Sequence, residues 1–403
     1  MQLCRDIGKR GEACVAPEFV KGLVEINTSP AGTLAELEHE YLENLRLALC
    51  AARSLGIRLY PLGTYPLPMQ PAMRDEPDYL VQVRTVGPER FVHAGRCAGT
   101  HLHLELAEGT VDPSAGIAAS ASEGARAEVL NLHNLATALD PALISLTRSC
   151  PFYEGEATGL ASRIVRYRGS EDFGWDGVYR DLPLVGALLP YAADTEQLVR
   201  QQFDRYRAWL EAMDEAGVEH RLFLEAGGDL LRPAWNPVRL NRQGTVELRG
   251  MDSNYPEVTL AAAALVVGAA TRLRRDGLTV VPDDGVRAFE VDGEKLRVPG
   301  FGYLGDRLLR AAVTERVDPE VTAYVDSVLE FVGEEERLVE LHRHRTSSGA
   351  YPTTEARLLE EYPPDDGRLS EREGLRLVLE ACDELEAQAS GLLRREDETA
   401  EVP

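Results

Sequence analysis

Strand-like and helical segments alternate irregularly along this 403-residue chain, and the irregularity limits the folds that it can adopt. We expect strands in residues 19–29, 220–226, 229–240 and 244–253, and helices in residues 124–147, 194–216 and 258–274. Strand runs that follow one another without a helix between them are typical of hairpins, so the pattern favours an α+β fold over a doubly wound parallel sheet. The sequence does not contain G-x-x-x-x-G-K-[ST], the motif of Walker phosphate loops.

Helix-capping residues and apolar runs predict the secondary structure of the remaining segments. Residues 1–11 are expected to form a short helix, followed by a loop to residue 17, and residues 58–68 and 91–106 have further strand-like runs. Thr33 and Glu36 stand at capping-box spacing before an apolar stripe, which predicts a helix ending near Gly56. Beyond Asp276 the pattern is helical, and residues 390–403 are expected to be a solvated acidic tail. We expect one domain over residues 1–403.

Composition narrows the function classes. The formal net charge of −24 gives the chain no electrostatic reason to approach a nucleic acid or an anionic membrane, although a salt-tolerant host would explain the charge equally well. The six cysteines form no C-x-x-C pair, which favours reduced thiols. The N-terminal segment lacks the apolar core of a secretory signal, and the apolar run 260–270 is about half a membrane span. The sequence therefore predicts a cytoplasmic protein without membrane contact.

The segment H-L-H-L-E is the sharpest local feature. On a strand, His101, His103 and Glu105 share one face, because side chains alternate between the two faces. Two imidazoles and a carboxylate on one wet face are suited to a divalent metal ion or a phosphate. The alternative is a half-exposed strand whose polar face carries histidines by chance.

A second strand, in residues 244–252, carries Thr245, Glu247 and Arg249 on one face. A carboxylate can hold a cation while a neighbouring guanidinium binds phosphate oxygens through two hydrogen bonds. A cross-strand ion pair is the structural alternative. Upstream, Arg232 is placed next to a rigid proline.

Two weaker features complete the candidate site. Glu25 interrupts an apolar strand, where a lone acid is usually a solvated edge residue unless it meets other acids in space. The glycine-containing loop from Ser149 to Gly159, together with Arg163, could surround an anionic ligand with backbone amides.

Taken in order, these segments resemble glutamate–cysteine ligase family 2, carboxylate–amine ligases distantly related to glutamine synthetase. The matching stretches are VEINT (24–28), LGTYP (62–66), GTHLHLEL (99–106), LISLTRSCPFYEG (143–155) with ASR (161–163), LRP (231–233), GTVELRGMD (244–252) and RTSSGAYPTTEAR (345–357). The resemblance implies an antiparallel sheet curved into a funnel, with helices outside and ATP and Mg²⁺ inside.

The resemblance also implies roles for individual residues. Glu25, His101 and Glu247 would coordinate magnesium, with His103 and Glu105 on the same face as His101. Arg232 and Arg249 would contact phosphates, and Ser149, Arg163 and Thr245 complete the predicted nucleotide-binding set. The implied reaction phosphorylates a carboxylate, that of glutamate in the type case, and an amine such as cysteine then attacks the acyl phosphate. Glu25, Glu247 and Arg249 would be the catalytic residues of this step in glutathione biosynthesis.

This sequence departs from the family pattern at three places. No G-x-E-x-E strand precedes Phe19, Tyr65 stands where T-H-P is usual, and Glu105 replaces a common glycine. Because the opening strand would supply two further acids, we expect weak ligase activity from this chain. A silent family member that binds nucleotide or amino acid, and a metal-dependent hydrolase using the histidine strand, are the alternatives. Small-molecule substrates are the expected partners, and a homodimer is left open.

Overall fold

The computed structural model describes residues 14–333 and 351–400. Its strands are β1 Cys14–Pro17, β2 Val24–Asn27, β3 Gly99–Glu105, β4 Val111–Asp112, β5 Gly116–Ile117, β6 Phe152–Tyr153, β7 Glu156–Ala157, β8 Val238–Asn241, β9 Thr245–Asp252, β10 Thr279–Asp283, β11 Glu290–Asp292 and β12 Lys295–Pro299. Its helices are α1 Leu34–Ser54, α2 Pro77–Val86, α3 Pro88–Phe91, α4 Glu123–Thr147, α5 Ser162–Arg168, α6 Pro183–Gly186, α7 Thr195–Glu215, α8 His220–Glu225, α9 Pro256–Arg275, α10 Arg310–Thr314, α11 Pro319–Val332, α12 Thr354–Glu361 and α13 Glu371–Ala400.

Three antiparallel strands in the order β3–β9–β8 form what we call the central sheet. One face is apolar: Leu104, Val246, Leu248 and Leu240 are buried there in the main core, which also contains the inner residues of α4, α9 and α11. The opposite face carries the polar side chains of the same strands, because the two kinds of residue alternate along them. The sheet therefore separates a packed core from a polar surface.

Helix α4 is the centre of this core. Ser122 caps its N-terminus by accepting a hydrogen bond from the Ala125 backbone amide, and almost every residue from Leu132 to Thr147 is buried. A helix that is apolar on all sides needs neighbours on all sides. Here it packs against the central sheet, α9 and α11. The α+β class is confirmed by this arrangement, whereas the predicted funnel is not: within residues 14–333 and 351–400 the strands form five small sheets, none of them closed.

Several predicted helices are confirmed, including α4, α7 and α9. Helix α1 begins with the predicted capping box: the Thr33 hydroxyl accepts from the Glu36 amide, and the Glu36 carboxylate accepts from the Thr33 amide. Leu42 and Leu45 on its inner face are buried. The chain leaves the helix through Gly56, whose φ of +69° is a conformation that favours glycine.

Some predicted strands are wrong. Residues 220–225 form helix α8, in which Phe223 is buried, Leu222 packs partly buried against the same cluster and Leu224 is exposed. The run 229–240 contracts to β8, since Pro233 and Pro237 have no amide hydrogen for a ladder. Residues 58–68 contain only the Thr64–Cys97 bridge.

Other segments also differ from expectation. The region 91–98 begins in helix α3 and a 3₁₀ turn before β3 starts. Residues 14–17, predicted as loop, form β1 and pair with β2. Beyond Asp276 the chain first builds the mixed sheet β10–β12–β11 and only then becomes helical. Leu392 of α13 is buried, so the acidic tail is not solvated from residue 390 onward. The helix predicted in residues 1–11 lies outside the described residues.

Helix α9 is the one described helix with the length and hydropathy of a membrane span. In this fold 61% of its most apolar window is buried, and Leu260, Leu265 and Val266 pack inside the protein. A core helix of a folded domain has the same composition.

His133, on α4, gives the core a pH-sensitive group. Its side chain is 3% exposed, and its Nδ1 has no hydrogen-bond partner among the residues that the structure describes. Burial, with a smaller contribution from Arg205, lowers the pKa of His133 to about 4. Because the unfolded chain binds a proton near pH 6.5 and the folded chain does not, stability falls as the pH drops from 6.5 towards 4. We expect this group alone to remove about 2 kcal/mol between pH 7 and pH 5.

Urea unfolding at both pH values tests this expectation. His133→Gln should lose about 2 kcal/mol less than the wild type on acidification, since glutamine does not titrate. Leu132→Val is the control, because Leu132 is buried on the same helix and does not titrate, and it should keep the wild-type pH dependence. An unchanged pH dependence in His133→Gln would contradict the assignment.

Candidate functional site

The polar face of the central sheet converges on Glu247 of β9, whose side chain is 1% exposed. Arg239 Nε and Asn241 Nδ2 each donate to its Oε2 at 2.6 Å, and Arg249 Nη1 donates to its Oε1 at 3.3 Å. The strand register explains the contacts, since Arg239 of β8 lies directly opposite Glu247 and Asn241 lies opposite Thr245. The cross-strand ion pair, which was the structural alternative for this strand, is therefore present, with two arginines sharing one carboxylate.

An irregularity in the ladder shapes this face. Thr100 pairs with Met251 and Leu102 with Leu248, so Arg249 and Gly250 together stand opposite His101. Two residues opposite one make a β-bulge, which re-aims the side chains on either side of it. Arg249 and Asp252, three positions apart, thereby both come to the polar side. A Cβ on Gly250 would lie 2.1 Å from Asp140 Oδ1, so the bulge requires glycine.

The two arginines set the charge of Glu247. Burial alone would raise the pKa of this carboxyl, but Arg239, Arg249 and His101 together outweigh burial and hold the pKa well below its usual range. Burial and the neighbouring Arg249 lower the pKa of Arg239. Glu247 is therefore ionised near neutral pH and serves as the common counter-charge of two guanidinium groups.

The two histidines of β3 flank the same carboxylate. His101 Nδ1 lies 3.6 Å and His103 Nε2 4.0 Å from Glu247 Oε1, and His103 Nδ1 shares a 2.8 Å hydrogen bond with Thr245 Oγ1. Burial lowers the pKa of both imidazoles, and Arg249 adds to the effect on His101. Both rings are therefore neutral near pH 7.

A third arginine reaches the sheet from helix α5. Arg163 is 3% exposed, and its guanidinium lies against Gly99 of β3, where a Cβ would be 2.0 Å from Nη2. Its Nη2 donates to the Arg249 carbonyl at 3.4 Å, and its Nη1 lies 4.0 Å from Asp252 Oδ1. Tyr167, one turn further along α5, accepts a 3.1 Å hydrogen bond from Arg249 Nη2. The sheet and this helix thus hold three arginines side by side.

Glu25 approaches this group from the separate β1–β2 sheet. Burial raises the pKa of Glu25, Glu18 and Glu247 raise it further, and Arg249 and Arg239 act in the opposite direction. These interactions put Glu25 within electrostatic range of Glu247. Ala16 of β1 stands opposite Glu25, and β1 as described, Cys14–Pro17, carries no acid.

The other predicted site residues lie away from Glu247 or bind other groups. Arg232 ion-pairs with Asp78 of α2 and lies in a turn before β8. Ser149 donates from its backbone to Asp252 Oδ2 at 3.0 Å and from its hydroxyl to the Ser253 carbonyl at 2.9 Å, so it fixes the end of β9. Glu105 is exposed at the end of β3, opposite Thr245.

The donor set around Glu247 does not fit a magnesium ion. Both carboxylate oxygens already accept hydrogen bonds from cationic or amide groups. Across the described ranges, 14–333 and 351–400, no three His, Cys, Asp or Glu side chains are grouped so that they could hold a metal ion. The face formed by His101, His103 and Glu105 therefore does not assemble the metal centre that a hydrolase of this kind would need.

Sequence reasoning missed four residues of the site: Arg239, Asn241, Tyr167 and Asp252. The first two could have been found, because Val-Arg-Leu-Asn before a turn at Arg242–Gly244 repeats the alternation of β9 and predicts a hairpin partner. Tyr167 and Asp252 gave no comparable signal, since a helix turn and a bulge place them.

The fold and the site together define an α+β protein that gathers arginines, neutral histidines and a buried carboxylate on one sheet face. The family model of glutamate–cysteine ligase family 2 matches residues 2–370. The chain belongs to this family.

The chain is similar to part of each of two other proteins. A Gloeobacter violaceus protein provisionally named glutamate–cysteine ligase 2 is 26% identical over 153 residues, which cover 37% of this chain and 35% of that protein. A Saccharopolyspora erythraea protein provisionally named glutamate–cysteine ligase 2-1 is 32% identical over 156 residues, which cover 38% of this chain and 36% of that protein. The matched stretches span just over a third of the length of these relatives.

Proposed function

We propose that this protein is an ATP-dependent carboxylate–amine ligase that joins glutamate to cysteine or a related amine in the cytoplasm. The observation that carries the proposal is the convergence of Arg163, Arg239 and Arg249 on one face of the central sheet. Three guanidinium groups in a largely buried setting favour an anionic ligand with several oxygens, such as a triphosphate or a carboxylate. Family membership supports ligase chemistry with ATP.

The reaction would proceed in two displacements. A carboxylate oxygen of the first substrate attacks the γ-phosphorus of ATP, the bond to the bridging oxygen breaks, and ADP leaves. The amine nitrogen of the second substrate then attacks the acyl carbon, inorganic phosphate leaves, and the nitrogen gives up a proton. Both steps need charge neutralisation and in-line placement more than a protein nucleophile.

Residues of the central sheet and of α5 supply those two needs. Arg163 and Arg249 would neutralise phosphate oxygens, while Glu247 holds the side chains of Arg239 and Arg249 and is itself held by Asn241. The neutral imidazoles of His101 and His103 can donate hydrogen bonds without adding charge. Magnesium, which the resemblance implies, has no preformed ligand set among the described residues, and these roles do not depend on it.

Arg249→Lys tests the proposal. Lysine keeps the charge but loses the planar fork that bonds Glu247 and Tyr167 at once, so we expect kcat/KM for ATP to fall about 100-fold in an assay of ADP release with glutamate and cysteine. Arg242→Lys is the matched control, since Arg242 is half-exposed in the turn between β8 and β9, and it should behave as wild type.

Three outcomes of this assay discriminate between a ligase and a silent family member and test the role of Arg249. ADP release that requires both amino acids supports the ligase. Binding of ATP or glutamate without ADP release would identify a silent family member and overturn the proposal. Equal activity of Arg249→Lys and wild type would remove Arg249 from the nucleotide site.

A further inference from the structure

Arg163 is a buried cation with very few partners. A guanidinium has five N–H donors, and within residues 14–333 and 351–400 Arg163 makes one hydrogen bond, of 3.4 Å, to the Arg249 carbonyl. Asp252 Oδ1 lies 4.0 Å away, and in the same ranges neither that oxygen nor Arg163 Nε has a hydrogen-bond partner. A buried charged group left so poorly paired is unfavourable unless a ligand completes it.

Tyr167 stands between this cation and Arg249. Its hydroxyl accepts from Arg249 Nη2 at 3.1 Å, and the Arg163 guanidinium carbon lies 5.5 Å from the centre of its ring. The ring is held from behind by an edge-on contact with Tyr179, at 5.8 Å between centroids. Within the described part of the chain, the Tyr167 hydroxyl has no acceptor for its own hydrogen.

The unused donors lie around this one side chain. They are the Tyr167 hydroxyl hydrogen, Arg163 Nε and Arg249 Nε, and the last two are buried without partners among the described residues. Gly99 lets the Arg163 guanidinium lie directly against β3, because a Cβ there would be 2.0 Å from Nη2. Two guanidinium groups and a neutral hydroxyl donor suit an oxyanion better than a neutral ligand.

We propose that Tyr167 is a ligand-binding residue, whose hydroxyl donates a hydrogen bond to a phosphate or carboxylate oxygen held between Arg163 and Arg249. The inference rests on the proposed function only for the identity of that oxyanion, and it adds a neutral donor to the arginine site. By accepting from Arg249 and donating to the ligand, the hydroxyl fixes the ligand relative to the sheet.

Tyr167→Phe tests the inference by removing the hydroxyl and keeping the ring contacts with Arg163 and Tyr179. Calorimetric titration with sodium phosphate, ATP and L-glutamate, each alone, measures binding without turnover. We expect the affinity for each ligand whose oxygen contacts the Tyr167 hydroxyl to fall about tenfold, as for the loss of a hydrogen bond to a charged group. Loss for phosphate and ATP would identify a phosphoryl oxygen, and loss for glutamate alone a carboxylate. Tyr191→Phe, which removes a buried hydroxyl without a partner in the described part of the chain, should bind all three as wild type does.

A double variant separates direct contact from support of Arg249. If Tyr167 only positions Arg249, the pair Tyr167→Phe with Arg249→Lys loses no more affinity than Arg249→Lys alone, and the inference is overturned. Additive losses support a direct hydrogen bond. Affinities of Tyr167→Phe within twofold of wild type, or a wild-type protein that binds none of the three probes, would also overturn it. If Tyr167→Phe reduces binding but the wild type releases no ADP, the proposed ligase function is refuted while the proposed ligand-binding role of Tyr167 stands.

Discussion

Replacing Glu247 with alanine is expected to lower the free energy of unfolding by about 3–5 kcal/mol, because it leaves two largely buried guanidinium groups without their shared counter-charge. Arg239 and Asn241 both lose an acceptor at 2.6 Å, and Arg249 loses one at 3.3 Å. Chemical denaturation at pH 7 measures the loss. Glu290→Ala is the control, since Glu290 pairs with Arg297 at 3.5 Å but is 50% exposed, and it should change stability by less than about 1 kcal/mol.

The pH dependence of this effect has a definite sign. The folded-state pKa of Glu247 is well below its usual 4.5, because the arginines and His101 outweigh burial. A carboxyl of this kind stabilises the fold above its unfolded pKa, and the stabilisation disappears as the pH falls through the folded value. The difference between wild type and Glu247→Ala should therefore be complete at pH 7 and shrink only below pH 4.5. A loss under about 1 kcal/mol at pH 7 would show that the arginines find other acceptors.

The composition of the sheet face was predictable because strand alternation is a local rule. His101 and His103 on β3, and Thr245, Glu247 and Arg249 on β9, were each assigned to one face from spacing alone, and the ladder places His103 directly opposite Glu247. What spacing cannot give is which strands become neighbours. His101 and His103 enter the site because β3 pairs with the distant β9, a fact that depends on the whole fold.

The errors have equally particular causes. Residues 220–226 contain leucine and phenylalanine in a strand-like run, yet the segment is too short for its period to be read, and tertiary packing of Phe223 selects a helix. The bulge at Gly250 could not be predicted, because the glycine is required by the buried Asp140–Arg168 pair behind it, with both bonds at 2.7 Å. The funnel expected from the family resemblance depends on strand closure, which alternation does not encode.

A second large effect is expected at Glu355, the first-turn acid of α12. Arg148 at the end of α4 forms a two-bond ion pair with Glu355, and both side chains are at most 3% exposed. Arg148 Nη1 also donates to the carbonyls of Ala312 and Glu315 at 2.9 and 3.0 Å, so one guanidinium joins three helices: the end of α4, the C-terminal end of α10, and α12. Glu355→Ala leaves this cation buried without a counter-charge, and we expect a loss of about 3–5 kcal/mol in the free energy of unfolding.

The chain offers a matched control for burial. Arg357 and Glu384 form the same two-bond geometry, at 2.9 and 2.8 Å, but their side chains are 41% and 28% exposed. Glu384→Ala should therefore cost less than about 1 kcal/mol. The double variant Arg148→Met with Glu355→Leu should recover most of the stability lost in Glu355→Ala, because the damage comes from an unpaired buried charge and apolar side chains of similar volume remove that charge. Two results would contradict this account: equal losses of stability in Glu355→Ala and Glu384→Ala, or a double variant that is no more stable than Glu355→Ala. Either result would show that the carbonyl contacts alone hold Arg148 and that α12 docks by other means.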